Sequence, residues 1–268
     1  MTTERNSSSS LRRALDLVDV VAEYHGDGGP TLTELALKVE LPKSTTLRLL
    51  APLLEHGYVE SHPLSGRYRL GPALACLGTN YLEGLDLRAT ASDLLRKLSE
   101  ETGETVHLSV PQGVSMVYIE KVEAPQPVRM ASRVGSQVAM YSTASGWAYL
   151  ALADDAVMEA VIIAGLPRRT ATTPTTAAEL RAAVTATRKR GYAIGDTTNE
   201  EHIRGIGAAI VDETSRPIAV VSIVGPDFSM TPERFDALGH RAIETARAIS
   251  NRLGAPAHPL HNRKALNL

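Results

Sequence analysis

The stretch from Thr31 to Leu70 holds a dense succession of start and stop signals, and their spacing constrains the fold more than any other feature of the sequence. Thr31 and Glu34 stand at capping-box spacing, the Thr side chain taking an orphan N–H and the Glu reaching back to the cap. Leu32, Leu35, Ala36 and Val39 then make a short amphipathic helix. After a turn at Glu40-Leu41, Pro42 sits where a helix start tolerates proline. Leu47, Leu50, Ala51 and Leu54 give the next helix an apolar face, and Gly57 breaks it after His56. Tyr58–Ser61 and Arg67–Leu70 alternate apolar and polar residues around the turn-forming His62-Pro63-Leu64-Ser65-Gly66, which predicts a β-hairpin. Upstream, Leu11, Ala14, Leu15, Val18, Val21 and Ala22 recur at helical spacing from an N-cap at Ser10 to about His25, before the loop Gly26–Pro30.

Helix, helix, helix, hairpin is the order of a winged helix-turn-helix. The predicted organisation is a polar tail at 1–10, a winged helix-turn-helix at 11–71, a linker helix at 72–84, a larger domain at 85–253 and a loose tail at 254–268. Within the larger domain, Leu85–Glu101 reads as a helix. Thr105–Val110, Val114–Lys121 and Pro127–Ala131 read as strands. Ser142–Leu152, Asp154–Ala164 and Ala177–Arg190 read as helices, then Tyr192–Asp196, Ile206–Val211 and Ile218–Val224 as strands, and Thr231–Leu253 as a long last helix. Strands in hairpin-like runs as well as beside helices predict an α+β domain with a largely antiparallel sheet.

Composition narrows the classes. The 268 residues include 28 Lys+Arg and 30 Asp+Glu, and the net charge of −2 splits into −1 for residues 1–70 and −1 for the rest. A DNA-binding reading must therefore rest on local arrangement. The single cysteine, Cys76, excludes an intrachain disulfide and a Cys-rich zinc site; between Leu74 and Leu77 it reads as a small apolar packer. Met1–Ser10 lacks an apolar core, so no signal peptide is expected, and the longest uncharged stretch, Val134–Ala153, is too polar for a membrane span. The expected location is cytoplasmic.

Local arrangement does supply a DNA-binding surface. With Leu47, Leu50 and Leu54 packed inward, Lys43, Ser44, Thr45 and Arg48 fall on the exposed N-terminal face of the third helix, with Thr46 at the border. Hydroxyls and a helix start suit phosphate, and Arg suits guanine. Arg67 and Arg69 alternate with Tyr68, placing both arginines on one face of the hairpin, where they serve as phosphate or minor-groove contacts or as charges that keep an edge strand soluble. Each phosphate neutralised adds about −0.9 to the log–log salt slope. Pro52 predicts a kink or a local irregularity in the same helix.

Catalytic signals are weak by comparison. There is no HExxH, G-x-S-x-G, Walker A or dinucleotide fingerprint, so no metal, cofactor or catalytic residue is expected. Glu201-His202 and Asp196 are isolated. His107 alternates with apolar residues and reads as structural or partly exposed. Ser142–Gly146 (STASG) suits anion binding by backbone N–H groups or a plain N-cap.

LPKSTTLRLLAPLLEHGYVE at 41–60, GRYRLGPAL at 66–74, ETGETVHLSV at 101–110, VYIEKVEAPQPVRMASRVG at 117–135, RKRGYAIGDTTNEEHIRGIGAAI at 188–210 and VSIVGPDFSMTPERF at 221–235 together resemble the IclR-type bacterial transcriptional regulators. The resemblance runs in the family's order over roughly 11–253. It implies a ligand-responsive regulator, more a repressor than an activator, of a catabolic or metabolic operon. It also implies a homodimer or homotetramer on a double-stranded DNA operator and a small organic effector bound in the C-terminal domain. By position it implies an effector pocket lined by Met130, Met140, Ala144 and Ser145 on one side and Asp196, Ile203, Gly205, Ser222 and Val224 on the other. Gly205 stands where many members have Cys, Val224 where a second Ser is frequent, and Trp147 where Lys is frequent. Losing a thiol and a hydroxyl implies an effector larger or more aromatic than pyruvate. The competing readings are an enzyme of small organic acids with an accessory winged helix, and a protein-interaction module.

Overall fold

The computed structural model describes residues 9–24, 28–83, 86–124 and 132–255, with side chains left out at 79–86. The chain divides into two compact units, Met1–Gly84 and Leu85–Leu268.

The first unit contains α1 (Ser9–Glu23), α2 (Leu32–Lys38), α3 (Lys43–Glu55), β1 (Val59–Ser61), β2 (Tyr68–Leu70) and α4 (Pro72–Glu83). The capping box at α2 is formed in both directions: Thr31 N donates to Glu34 Oε2 at 2.7 Å and Glu34 N to Thr31 Oγ1 at 3.3 Å. β1 and β2 pair antiparallel with Glu60 opposite Arg69. Leu17, Val21, Leu35, Leu50, Val59 and Tyr68 form one buried cluster. The loop before α2 is tied to the hairpin where Tyr68 N donates to Pro30 O at 2.8 Å. Gly29 permits this approach, because a Cβ there would lie 1.8 Å from Tyr68 O.

Three details bear on the sequence expectation. α1 buries Leu17 and Val21, while Leu11 and Leu15 are 61% and 56% exposed, so its core-facing stripe is rotated from the one predicted. α3 continues through Pro52 as a single helix to Glu55. Cys76 is exposed and packs no core.

The second unit opens with α5 (Asp86–Thr102), β3 (Thr105–Gln112), β4 (Ser115–Val122) and β5 (Gln137–Ala139). Then come α6 (Ala144–Leu150), α7 (Asp155–Ile163), α8 (Ala177–Arg190), β6 (Ala193–Asp196), β7 (Ile203–Val211) and β8 (Pro217–Pro226). A 3₁₀ turn at Pro232–Arg234 leads into α9 (Phe235–Arg252). The strands form one sheet in the order β5-β4-β3-β8-β7-β6, and every pair is antiparallel. This is the α+β architecture the strand pattern implied. α6 packs on β7 and β8, and α5 and α9 also pack on the sheet. The strand expected at Pro127–Ala131 lies outside the described residues. β5 was not anticipated, since three residues are too few to show a period.

α6 approaches the turn that leads into it unusually closely at Gly146, where a Cβ would lie 2.2 Å from both Cα and O of Met140. Gly146→Ala is expected to destabilise the second unit by about 3 kcal/mol through overpacking. Gly78, in α4, has open space around it. Gly78→Ala is expected to stabilise the first unit by about 0.5–1 kcal/mol. Denaturant midpoints of the two variants measure both effects.

Candidate functional site

The exposed stripe of α3 is made of Lys43, Ser44, Leu47, Arg48 and Ala51, while Thr45 is half-buried. Thr46 is fully buried and donates its hydroxyl to Pro42 O at 3.1 Å, so it lies off this stripe. Leu47, expected inside, is 49% exposed. The two have exchanged roles because a threonine can satisfy its hydroxyl on the carbonyl one turn back and then tolerates burial. Thr46 and Leu50, at i and i+4, make the inner face. Lys43 and Arg48 have no ion-pair partner among the described residues, which leaves their charge on the surface.

The two hairpin arginines are already engaged. Arg67 Nη1 donates to Gly29 O at 2.7 Å and lies 3.7 Å from Glu34 Oε2. Arg69 Nε is 2.5 Å from Glu60 Oε1 across the β1–β2 pair. Arg67 therefore braces the hairpin against the loop before α2, and Arg69 remains mostly exposed with a carboxylate beside it. The tip is held by His62, whose Nδ1 accepts from Leu64 N and Ser65 N at 3.3 Å, leaving Leu64 exposed at the apex.

In the second unit the first turn of α6 sits over a floor of glycines. A Cβ at Gly207 would lie 2.7 Å from Ala144 O, and one at Gly195 would lie 3.2 Å from Ala144 N. Thr143 caps the helix, accepting from Gly146 N at 3.2 Å. Beside this turn lies a cavity of about 250 Å3. Of the residues expected in an effector pocket, Ala144, Ser145, Ile203, Gly205, Ser222 and Val224 line it. Met140 is instead sealed in the core against α6, Asp196 turns to Arg204 (Arg204 Nε donates to Asp196 Oδ1 at 2.6 Å), and Met130 lies outside the described residues. Trp147 is core as well, donating its indole N–H to Tyr141 O at 2.7 Å.

The cavity wall also holds His107, which the sequence reads as structural or partly exposed, and residues the sequence reading did not single out: Tyr118, Ser132, Thr198, Asn199 and Arg204 among them. His107 is fully buried, not partly exposed, and is paired in register with Ser222 across β3 and β8. Its Nε2 is 2.7 Å from Ser132 Oγ, and its ring stacks on Tyr118 at 4.3 Å between centroids. His107 Nδ1 and Ser222 Oγ are both buried and have no hydrogen-bond partner among the described residues. Burial, reinforced by the charge of Lys121, pushes the His107 imidazolium down from 6.5 to about 3, so the ring is neutral at neutral pH. Burial likewise pushes the Tyr118 phenol up to about 12. The period-two pattern of β3 does not show which strand faces His107.

Outside the cavity, His202 and Asp227 pair at 2.9 Å on an exposed turn, and the Asp227 hydrogen bond raises the His202 imidazole above its ordinary value. Among the described residues no cluster of His, Cys, Asp or Glu could hold a metal ion, and no helix is long and apolar enough to cross a membrane.

Residues 10–63 match the IclR helix-turn-helix domain, and residues 79–251 match the bacterial transcriptional regulator IclR C-terminal domain. The chain belongs to the IclR family. The acetate operon repressor of Salmonella typhimurium is 33% identical over 90% of this chain and 88% of its own length. Transcriptional repressor IclR of Escherichia coli is 32% identical over the same shares of each. The crystal structure of IclR from Thermotoga maritima superposes with a TM-score of 0.69 at 34% identity, covering 91% of this chain and 98% of that one. This IclR-family chain is thus a DNA-binding transcriptional regulator with a C-terminal effector domain, and not an enzyme.

The buried imidazole sets a pH dependence for the effector domain. The unfolded chain takes up a proton on His107 near pH 6.5, whereas the folded chain does not until about pH 3. Stability contributed by the neutral ring is complete above pH 6.5 and falls as pH drops through that window, by about 1.4 kcal/mol per pH unit. Denaturation midpoints measured from pH 7 to pH 4 are expected to fall more steeply for the wild type than for His107→Gln.

Proposed function

We propose that this IclR-family chain is a repressor of a catabolic or metabolic operon, released or retained on its operator by a small organic effector. In this reading α3 enters the major groove of a double-stranded operator. Lys43, Ser44 and Thr45 lie toward phosphate, Arg48 toward guanine, and Arg69 contacts the backbone from the wing. Arg67 takes part only by letting go of Gly29. The naming of both curated relatives as repressors supports the sign of regulation. Two freely exposed cations on α3 bind DNA weakly, so a homodimer or homotetramer that pairs two such surfaces follows from the arithmetic of linked sites. The exposed Leu11 and Leu15, one turn apart on α1, supply an apolar surface for that pairing. The place of action is the cytoplasm.

One observation carries the effector reading. Two buried polar atoms, His107 Nδ1 and Ser222 Oγ, stand without partners in the wall of one cavity. An unsatisfied buried polar atom costs about 1–3 kcal/mol, and a ligand bearing a polar group recovers it. Gly205 and Val224, in the same wall, contribute no hydrogen-bonding side chain. The stacked His107–Tyr118 pair presents a ring surface. These features favour an effector larger or more aromatic than pyruvate, with its polar group toward Ser222.

A thermal-shift screen of small organic acids and phenols against the intact chain tests this. Compounds larger than three carbons are expected to raise the melting temperature, with affinity up to about ten-fold weaker in Ser222→Ala. Stabilisation by two- and three-carbon acids alone contradicts the proposed ligand class. On DNA, Arg48→Ala is expected to weaken operator binding about ten-fold or more in fluorescence anisotropy. Arg69→Ala is expected to reduce the salt slope by about 0.9 for each phosphate left without its arginine.

A further inference from the structure

The exposed stripe of α3 contains one large apolar side chain that the DNA-binding reading leaves without a role. Leu47 is 49% exposed, whereas Leu50, less than a turn away, is fully sealed in the core of the first unit. The inner positions of the helix are filled by Thr46 and Leu50, so Leu47 has no inward site to move to. Its neighbours on the stripe are Lys43, at i−4, and Arg48, whose charges have no ion-pair partner among the described residues. A leucine set between two free cations on a convex helix surface fits a partner that is anionic at its edges and locally apolar between them. The major groove of DNA has that pattern. Phosphates line both rims, and the apolar group on its floor is the C5 methyl of thymine.

We infer that Leu47 is a specificity-determining residue of this regulator and reads a thymine by packing on its C5 methyl. Lys43 and Arg48 position α3 in the groove, and Leu47 distinguishes thymine from cytosine at one base pair. The inference rests on the proposed docking of α3, and its test separates the two.

The experiment uses the full chain. Random-sequence selection supplies a binding site, and each thymine in it is then replaced singly by deoxyuridine, which removes only the methyl group. Dissociation constants are measured by fluorescence anisotropy for the wild type, Leu47→Ala and Arg48→Ala. Removing a buried methyl is worth about a four-fold loss. In the wild type one thymine per seated helix shows that loss on conversion to deoxyuridine. In Leu47→Ala the same replacement has no effect, while every other position responds as before. Because Leu47 is exposed, its alanine variant folds normally, and an unchanged melting temperature verifies this.

Three results overturn the inference. If every deoxyuridine effect survives in Leu47→Ala, or if no thymine is sensitive, Leu47 reads no methyl although α3 still docks. If Leu47→Ala alters sedimentation but not sequence preference, the side chain faces a second copy of the chain. If Arg48→Ala and Leu47→Ala both leave specific binding and its salt slope untouched, or if selection enriches no sequence, the docking of α3 itself fails.

Discussion

The effector domain depends on the contact between the first turn of α6 and the strands beneath it. Gly195 and Gly207 present no side chain there, and Ala144, with only a methyl group, faces them. A Cβ at Gly207 would collide with the backbone of Ala144, so the helix could not seat. The same closeness recurs at Gly146 against Met140. Once α6 is held down, its start and the strands β3, β7 and β8 enclose the cavity between them. The register of β3 with β8 then sets His107 opposite Ser222 in the cavity wall. Packing constraint and ligand chemistry are thus the same feature seen from two sides.

A neutral histidine is what such a cavity requires. A charged imidazole buried beside Lys121 would demand an anion to balance it, and the shift of His107 to about 3 removes that demand. Arg204, in the cavity wall, is held by the Asp196 carboxylate and by the carbonyls of Asp227 and Met230 at 3.0 and 3.1 Å. In the proposed reading the cavity recognises its effector by hydrogen bonding and shape more than by charge. The first unit works in the opposite manner. On α3 its free positive charge is at Lys43 and Arg48, while Arg67 and Arg69 are occupied within the domain. In the proposed docking, discrimination among sequences comes from base contacts along α3.

Much of this was legible in the sequence where a local rule has a sharp physical cause. The Thr31–Glu34 box, Pro42 at the start of α3, Gly57 after its end and the alternating strands of the effector domain all declare themselves through backbone sterics and capping. The family resemblance grouped Ala144, Ser145, Gly205 and Ser222, which the fold sets around one cavity. What stayed hidden depends on choices between neighbours. Periodicity could not tell that Thr46, by bonding its own hydroxyl to Pro42, would take the inner position and turn Leu47 outward. It could not tell that the α1 stripe runs through Leu17 and not through Leu11 and Leu15. Nor could it tell that Met140 and Trp147 fill the core while His107 reaches the cavity. Cross-strand partners belong to the register, and the register is not written in any single strand.

The central claim is that the effector cavity and the operator-binding surface are thermodynamically coupled. It is tested most directly by titrating a small molecule recovered from the thermal-shift screen into the free regulator and into the operator-bound regulator, with calorimetric detection. Reciprocity of linkage requires that an effector which changes operator affinity be bound differently by the two forms, and a ratio of about five-fold or more is predicted. Equal affinities for the free and DNA-bound protein would contradict the account, however tightly the molecule binds.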